Sequence, residues 1–536
     1  MPQEYGLLGK ESPVAEVLIR DGLKGGLRES DENERNSERL TLCQNARPTK
    51  YGLVQHYPIN FPPALQTAIA SAGLSVSHPF PQLFKGKHTT YLFTETKVYS
   101  VNESTWAITP LSLVNLAGSP ATISSGGGAW QFVDCHQTWY ATNGVTTVFQ
   151  AEVNGVTAVR VDTSVPVQTG CELRGRVLFG GFDPNNYWTS TWDAHYESWT
   201  DNYIVPTTGV SPSGIGSNFI SWSSIGGGDT LGLIYPDLLI AGQESYSSGG
   251  HDSDRPIYFD FLDRNEAGFM PMPFSGSVLC LRPLGGQCMV YGDEGIAAVY
   301  TASAPVPTFG LKELTSLGIA SRTAVGGDDN EHVFLDSSGS LWHIDAELAL
   351  TELDFAEDLS ALTDSEVTIV KDPQKGDFHI AGKVGGNSVV YTLTKSGLYK
   401  HKHAVTSAYF LPKTLDHAAG MVGVYEEIAD TDEAIVQTDT FDFGTRDIKT
   451  LQGVEVGSTA NTAIQVKVLY RTNASQSWME TEYRSVSSEG WVDLVVSGVE
   501  FQIQVYYADY ENFERIDYIR LLWRGEGPRS MKDAIT

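Results

Sequence analysis

Two histidine-containing segments carry the side chains most able to hold a metal ion. His251-Asp252-Ser253-Asp254 places three potential ligands within one short loop, and in Lys400-His401-Lys402-His403 two imidazoles share one face of a strand. Adjacent residues seldom converge on one ion without remote partners, and the flanking lysines repel a cation. We therefore expect no metal site and no cofactor, and we expect the second segment to form an exposed strand.

Catalytic motifs of the common enzyme classes are absent from the sequence. It contains no Gly-x-Ser-x-Gly elbow for a nucleophilic serine, no Gly-x-x-x-x-Gly-Lys-Ser/Thr phosphate loop and no His-Glu-x-x-His zinc motif. Paired carboxylates of the glycosidase type are not diagnostic, because among 65 acidic residues some pair always lies within about 5–10 Å. We expect no catalytic residues and no enzymatic activity.

One turn is similar to the Asp-box of sialidases, in which an Asp and a Gly bracket a tight turn and a Trp packs nearby. The corresponding residues here are Asp336, Gly339 and Trp342, with two residues between Asp and Gly where the sialidase pattern has one. No cluster of arginines accompanies the turn to bind a carboxylate sugar. We expect it to have a structural role.

An aromatic cluster lies between residues 186 and 203, interleaved with Asn, Ser, Thr and Asp. Such rings can stack on sugars or bury themselves at a subunit contact, and they can equally belong to a core and its loop rim. The candidate partner surface consists of Tyr187, Trp188, Trp192, Tyr196 and Trp199.

Four β-hairpins of one design recur along the middle of the chain, at residues 90–102, 139–151, 289–302 and 332–345. The turns are 48 residues apart from Thr96 to Gly144 and 44 apart from Gly295 to Gly339. A repeat of about 45–50 residues is the length of one four-stranded propeller blade. The region from residue 79 to 415 therefore predicts a β-propeller of about seven blades.

The C-terminal part of the chain has a different pattern of apolar and polar residues from the middle part. Residues 462–470 and 500–508 alternate cleanly between apolar and polar side chains, which is typical of strands that bury one face only. With three further strand-like runs they predict an antiparallel β-sandwich over 416–525, followed by a tail at 526–536. We expect residues 1–78 to form an N-terminal arm associated with this sandwich, which we call the platform domain. Sequence patterns typical of helices are confined to 63–73 and, more weakly, 355–366. The fold class is thus all-β, a propeller plus a sandwich.

The net charge of the chain limits the kinds of partner that it can bind. Lys and Arg number 36 against 65 Asp and Glu, which gives a net charge of −29 and a pI near 4.7. Diffuse attraction to phosphate is excluded, but an acidic wall suits a conduit through which a nucleic acid slides without sticking. Ordinary solubility is the alternative explanation.

The sequence has five cysteines, an odd number, and no Cys-x-x-Cys pair. Cys280 and Cys288 flank a turn and could pair, but no secretion signal or apolar run long enough to cross a bilayer is present. We expect buried, reduced thiols.

Segments at both ends and in the middle resemble the nozzle proteins, or distal tail tubular proteins, of short-tailed bacteriophages. The N-terminal segment carries Leu23-Lys24-Gly25-Gly26, then Asn45, then Gly52-Leu53. Residues 176–186 and 217–229 are similar to a blade sequence that recurs in phage tail proteins and includes Trp222-Ser223. Residues 438–456 are similar to the C-terminal β-domain of the nozzle family.

This resemblance implies a virion tail protein, assembled in the host cytoplasm. The implied assembly is a homohexamer below a tail adaptor protein, with β-domains around the DNA ejection channel and propellers as spacers or docking surfaces for tail fibres. The resemblance assigns the adaptor or subunit contact to Leu23, Lys24, Gly25, Gly26, Asn45, Gly52 and Leu53. Viral DNA would pass without sequence-specific binding, and no membrane segment is involved.

Two alternatives remain open. Another tail component, such as an adaptor or hub protein, would form a ring of a different order. A glycan-binding or glycan-cleaving propeller would use the aromatic cluster at 186–203 as its platform.

Overall fold

The structure is a computed structural model that divides the chain into two compact units. The propeller unit comprises residues 60–389 and 403–427, and the sandwich unit comprises 1–59, 390–402 and 428–536. The description covers residues 14–525 except for 21–22, 24–25, 28–35, 37–39, 57–60, 116–117, 136–137, 152–154, 163–166, 183–216, 223–267, 303–308, 354, 364–365, 373, 412–419, 429–431, 459–462, 511–512 and 514.

The described elements are almost all strands. Along the chain the first are β1 (Ala15–Ile19), β2 (Leu40–Gln44), β3 (Ala46–Thr49), β4 (Gly52–Gln55), α1 (Pro63–Ser71), β5 (Gln82–Lys85), β6 (Thr90–Phe93), β7 (Val98–Val101), β8 (Ile108–Pro110), β9 (Ser112–Val114), β10 (Gln131–Cys135), β11 (Thr138–Thr142), β12 (Thr147–Ala151), β13 (Ala158–Asp162), β14 (Val167–Leu173), β15 (Arg176–Phe182), β16 (Phe219–Trp222), β17 (Gly268–Pro271), β18 (Val278–Leu284), β19 (Gln287–Gly292) and β20 (Ile296–Thr301).

The remaining elements are β21 (Phe309–Thr315), β22 (Val325–Gly327), β23 (Glu331–Leu335), β24 (Leu341–Asp345), β25 (Leu350–Glu352), α2 (Ala356–Leu359), a 3-10 turn (Ser360–Leu362), β26 (Thr368–Lys371), β27 (Phe378–Val384), β28 (Asn387–Leu393), β29 (Leu398–Lys400), β30 (His403–Leu411), β31 (Gly420–Glu427), β32 (Ala434–Thr438), β33 (Lys449–Ser458), β34 (Ile464–Arg471), β35 (Met479–Glu480), β36 (Arg484–Ser485), β37 (Trp491–Val492), β38 (Val496–Gly498), β39 (Glu500–Tyr507) and β40 (Arg515–Gly525).

Seven antiparallel sheets make up the propeller unit. Blades 1 to 5 are four-stranded meanders, and the strands are β5–β8, β10–β13 with β9 added in parallel, β14–β17, β18–β21 and β22–β25. Blade 6 begins with β26, β27 and β28, and blade 7 is the two-stranded pair of β30 and β31. The first strand of each blade lies innermost, and β30 of blade 7 packs beside β5 of blade 1. The ring is therefore closed, which confirms the predicted propeller of about seven blades.

The four predicted hairpins are confirmed as the second and third strands of their blades. They correspond to the pairs β6–β7, β11–β12, β19–β20 and β23–β24. Apolar residues of neighbouring blades fill the spaces between the sheets. Tyr91 and Phe93 of blade 1 meet Trp139 of blade 2, with the rings of Tyr91 and Trp139 4.5 Å apart. Aromatic pairs at this distance add to the stabilisation from area burial.

The four cysteines whose side chains are described are buried free thiols, as expected. Cys280 lies opposite Tyr291 in the strand register, and Cys288 lies opposite Pro283, so the two thiols do not face each other. Burial raises the pKa of the Cys43 thiol and of Cys280, which keeps them protonated and unreactive.

The sandwich unit is built from both ends of the chain. In one sheet, β40 pairs with β33 along one edge and with β1 and β4 along the other. In the second sheet β32 lies between β2 and β39, and β39 also pairs with β34. Core positions such as Ile464, Val466, Phe501 and Ile503 are fully buried. The predicted sandwich is confirmed, and strands of the N-terminal arm complete it.

The unit boundaries differ from the predicted domain boundaries at residues 78/79 and 415/416. The propeller unit begins at residue 60, because Leu65 and Ile69 of α1 pack on Leu83 and Leu92 of blade 1. It extends to residue 427 because β31 is the second strand of blade 7. The helix expected at 63–73 is present, whereas the weaker helical signal at 355–366 yields only α2 and one 3-10 turn. Among the described residues, none of the helices combines the length and hydropathy needed to cross a membrane.

Candidate functional site

The inner strands of all seven blades surround a cavity of about 560 Å³ on the propeller axis. The wall of the cavity is formed by residues 82–85, 130–134, 170–172, 281–283, 323, 327, 368–371 and 406–409. This volume falls in the range of small-molecule pockets.

A belt of amide and hydroxyl groups joins the blades around this axis. Gln82 of blade 1 accepts the backbone N–H of Trp130 of blade 2 at 2.5 Å. Gln131 of blade 2 accepts the hydroxyl of Thr169 of blade 3 at 2.5 Å, and Thr169 in turn accepts the N–H of Leu281 of blade 4 at 2.7 Å. These buried groups replace water by bonds to a neighbouring blade, so they fix the position of each sheet in the ring.

The same belt continues through the remaining blades. Gln131 Nε2 donates to the carbonyl of Arg322, just before blade 5, at 2.7 Å. The Thr323 hydroxyl donates to the carbonyl of Val367, at the start of blade 6, at 2.6 Å. The Ser407 hydroxyl of blade 7 accepts the N–H of Leu83 at 2.5 Å and joins blade 7 to blade 1.

A buried arginine stands beside the belt. Arg322 Nη2 donates to the carbonyls of Thr142 at 3.0 Å and Gln168 at 2.5 Å, while its Nε and Nη1 have no hydrogen-bond partner among the described residues. Burial lowers the pKa of Arg322 to about 10, and the charge of Glu366 acts in the opposite direction. The guanidinium thus remains charged at neutral pH and links blades 2, 3 and 5.

Two cations of the cavity wall, Lys371 and Lys85, are paired with acids. Lys371 bonds Asp328 at 2.6 Å and Glu331 at 2.9 Å. Burial lowers the pKa of Lys371, but the two carboxylates outweigh burial and leave the pKa above its ordinary value. Lys85 bonds Glu103 at 2.6 Å. Since these cations already have anionic partners, the cavity wall is organised for structural rigidity.

The turn that resembles an Asp-box closes on itself. One oxygen of Asp336 accepts the N–H groups of Ser338 at 2.8 Å and Ser340 at 2.9 Å and the hydroxyl of Ser338 at 2.7 Å. The other oxygen accepts the indole N–H of Trp342 at 3.0 Å. The carboxylate is thus occupied by local donors, which agrees with the expected structural role.

The predicted adaptor or subunit contact residues lie in the sandwich unit, where most are buried. Leu23 and Leu53 are fully buried. Gly26 has φ +62°, and a Cβ there would lie 2.4 Å from the carbonyl of Leu398. Gly52 has φ +132°, and a Cβ there would lie about as close to the carbonyl of Ile516. Both glycines are therefore required for close backbone packing.

Asn45 is buried in a left-handed conformation with φ 52°. Its Nδ2 donates to the carbonyl of Glu433 at 2.8 Å, and its N–H donates to the carbonyl of Lys400 at 2.8 Å. Lys24 and Gly25 lie outside the described residues. These residues have intramolecular roles, and their contact with an adaptor or another subunit stays a prediction.

Several predicted features lie outside the described residues. They are the aromatic cluster with Tyr187, Trp188, Trp192, Tyr196 and Trp199, the segment 251–254, and Ser223. Its neighbour Trp222 is described, and its ring packs edge-on against Phe309 at 5.2 Å in the core between blades 3 and 4.

The expectation of an exposed strand at 400–403 is wrong, since His401, Lys402 and His403 are buried. In the sandwich unit the rings of His401 and His56 stack at 4.5 Å. His401 Nε2 is 2.6 Å from the Thr392 hydroxyl, and His56 Nδ1 is 3.1 Å from the Tyr399 hydroxyl. Long-range packing of the N-terminal arm, which alternation along one strand does not reveal, covers this segment.

Sequence reasoning missed two polar networks, namely the axial belt and an amide ladder on the sandwich. Gln437 donates to Gln502 at 3.1 Å and accepts from Gln504 at 3.0 Å, and the Tyr483 hydroxyl donates to Gln504 at 2.7 Å. The belt had a weak signal in the sequence, because Gln82, Gln131 and Thr169 each stand near the start of an inner strand.

No protein-family model matches the chain, and no curated protein matches it. Among solved structures the chain is similar to a quinonprotein alcohol dehydrogenase-like protein from Bacteroides thetaiotaomicron, with 9% identity, a TM-score of 0.33 and coverage of 61% of this chain and 67% of that one. It is also similar to the extracellular domain of a one component system from the same organism, with 10% identity, a TM-score of 0.34 and coverage of 95% and 57%. A third is an exo-β-1,3-galactanase from Phanerochaete chrysosporium, with 10% identity, a TM-score of 0.26 and coverage of 76% and 98%. The chain is an all-β protein with a β-propeller and a β-sandwich.

Proposed function

We propose that this chain is the tail nozzle of a short-tailed bacteriophage, a structural subunit of a hexameric ring that extends the DNA ejection channel below the adaptor. The observation that carries the proposal is the sandwich unit, in which β1, β2 and β4 from one end of the chain pair with β32 and β40 from the other. The segments that resemble nozzle proteins at the two ends thus belong to one folded body.

The propeller supports this proposal by exclusion. The cavity on the propeller axis has a volume of about 560 Å³, the size of a small-molecule pocket, so the proposed DNA passage lies between several copies of the chain. Six copies at −29 each surround such a passage with negative charge. Like charge prevents the DNA backbone from adhering to the wall during ejection.

On one sheet of the sandwich unit, the polar side chains are paired with one another. The glutamines of the amide ladder bond each other and Tyr483, so their hydrogen-bonding groups are already occupied. Lys467 on the same sheet pairs with Glu480 at 2.6 Å. A surface whose donors and cations are satisfied internally offers little for phosphate to bind.

The mass of the assembled particle, measured by native mass spectrometry on the purified chain alone and with its adaptor, tests the proposal. We expect six copies of the 58.4 kDa chain, both alone and on the adaptor. A ring of another order indicates a different tail component. A monomer that binds on a glycan array indicates a glycan-active propeller.

A further inference from the structure

The last strand of the sandwich unit has one buried face and one outward face. Ile516, Ile519 and Leu521 of β40 are fully buried. Because side chains alternate along a strand, the side chains between them point to the opposite face. These outward residues of β40 are Arg515, Asp517, Tyr518, Arg520, Leu522 and Arg524, and a register shift beside Tyr518 interrupts the strict alternation.

Residues of four other strands of the sheet share that outward face, since directly opposite residues of antiparallel strands point the same way. On β1, Leu18 lies opposite Arg520 and Glu16 lies opposite Leu522. On β33, Glu455 lies opposite Arg520. On β4 and β3, Val54 lies opposite Arg515, and Arg47 lies opposite Val54. We call this surface, together with the β3–β4 turn, the arginine face.

The arginine face reverses the charge balance of the chain. Its described basic residues are Arg47, Lys50, Arg515, Arg520 and Arg524, and its acidic residues are Glu16, Glu455 and Asp517. The whole chain instead has 65 acidic and 36 basic residues. Two of the three acids are already engaged, because Glu455 bonds Tyr518 at 2.7 Å and Arg520 at 3.0 Å, and Asp517 pairs with Arg515.

The arginine face also exposes apolar and aromatic side chains. Leu18 is 41% exposed and Tyr51 is 60% exposed, and Tyr51 lies 4.7 Å from the ammonium of Lys50 and 5.9 Å from the guanidinium of Arg515. The ring of Tyr518 lies flat over Gly457, where a Cβ would come within 2.3 Å of it. Exposed Tyr, Arg and Leu side chains of this kind are typical of the centres of protein interfaces.

We propose that the arginine face binds the acidic surface of a second copy of this chain. Charge complementarity selects this occupant, since every other copy has a net charge of −29 and the face has an excess of arginine. The inference rests on the homo-oligomer of the proposed function and identifies the surface that holds it together.

Two substitutions of exposed residues test the interface without disturbing the core. Leu18→Asp and Tyr51→Glu place negative charge on the arginine face, and Val384→Asp and Tyr300→Glu are matched controls on the propeller at 38% and 41% exposure. Mass photometry of the full chain measures the concentration at which the assembly dissociates. We expect at least a tenfold increase for the two face variants, with unchanged melting temperatures, and wild-type values for the controls.

The experiment distinguishes a wrong interface from a wrong proposed function. If wild type forms the ring and both face variants form it at wild-type concentrations, the interface is wrong and the proposed function is unaffected. If wild type is a monomer, the proposed function is wrong and the interface fails with it. If the face variants keep the ring but lose binding to a labelled 20-base-pair duplex in an anisotropy titration, the arginine face is a nucleic-acid surface and the inference is overturned.

Discussion

The hydroxyl of Thr169 donates to Oε1 of Gln131 across 2.5 Å, and this bond joins the innermost strands of blades 2 and 3. Thr169 also accepts the N–H of Leu281 from blade 4, so one buried side chain connects three blades. Propellers are commonly described through their apolar blade cores. Here the polar belt on the axis fixes the order and spacing of the sheets as well.

Thr169→Val keeps the shape of the side chain and removes both bonds. We expect the free energy of unfolding of the propeller to fall by about 1–3 kcal/mol, because the N–H of Leu281 and the Oε1 atom of Gln131 are left buried without that partner. Urea unfolding measures the change. Thr109→Val, at an exposed strand position, is the matched control, and equal midpoints for the two variants would contradict the role of the belt.

His332 makes the propeller sensitive to acid. Burial, with a smaller contribution from the charge of Arg282, lowers the pKa of His332 to about 3, and its Nδ1 is 2.8 Å from the Tyr291 hydroxyl. The unfolded chain has the ordinary histidine pKa near 6.5, so below that pH the unfolded state binds more protons and stability decreases. At pH 5 the loss from His332 is roughly 2 kcal/mol.

His332→Gln should flatten the dependence of the unfolding free energy on pH between 7 and 4. Denaturant titrations at several pH values measure the slope. His78 is buried too, its pKa is lowered to about 4, and it stays in the variant, so part of the slope should persist. If the slope of the variant equals that of wild type, His332 takes up its proton in the folded protein at the same pH as in the unfolded chain, which would contradict the prediction.

Asp336→Ala should destabilise blade 5. The change removes four accepted hydrogen bonds of the turn between β23 and β24, including the bond from the Trp342 indole. A loss of about 1–3 kcal/mol is expected from the donors left unsatisfied. Thermal unfolding measures it against Glu347→Ala, an exposed acid on the following turn. A melting temperature as high as that of the control would exclude the structural role.

Lys449 stabilises the sandwich unit from within. Its ammonium donates to the carbonyls of Asp442 at 2.7 Å, Thr445 at 2.5 Å and Val499 at 3.0 Å, and its burial lowers the pKa. Lys449→Met should lower the stability of the unit by about 2–3 kcal/mol, because three carbonyls lose a charged donor. Hydrogen exchange of β33 and β39 measures it, with the exposed Lys395→Met as control. Unchanged protection in the Lys449 variant would refute this role.

Local features of the fold were predictable from the sequence. The hairpin at 332–345 combines a β-prone run, a polar turn and a second β-prone run, and these signals act over a few residues. The alternation of Ile464, Val466 and Val468 likewise predicted which face of β34 is buried. Repetition of such local signals at blade spacing was sufficient to predict the propeller.

Contacts between distant segments were not predictable in the same way. Gln502 and Gln504 look like solvent-facing positions, yet they are buried under Tyr483 and each other. Asn36, within a segment rich in acidic residues, bonds Asp442 across about four hundred residues of sequence. Register between such segments is set by packing in three dimensions, which leaves no periodic trace in the sequence.

Single-particle electron microscopy of the purified chain tests the central claim most directly. The account predicts a sixfold ring in which sandwich units surround an open passage, with acidic and neutral polar side chains on its wall. A monomer, a ring of another order, or a passage lined by lysine and arginine would contradict it.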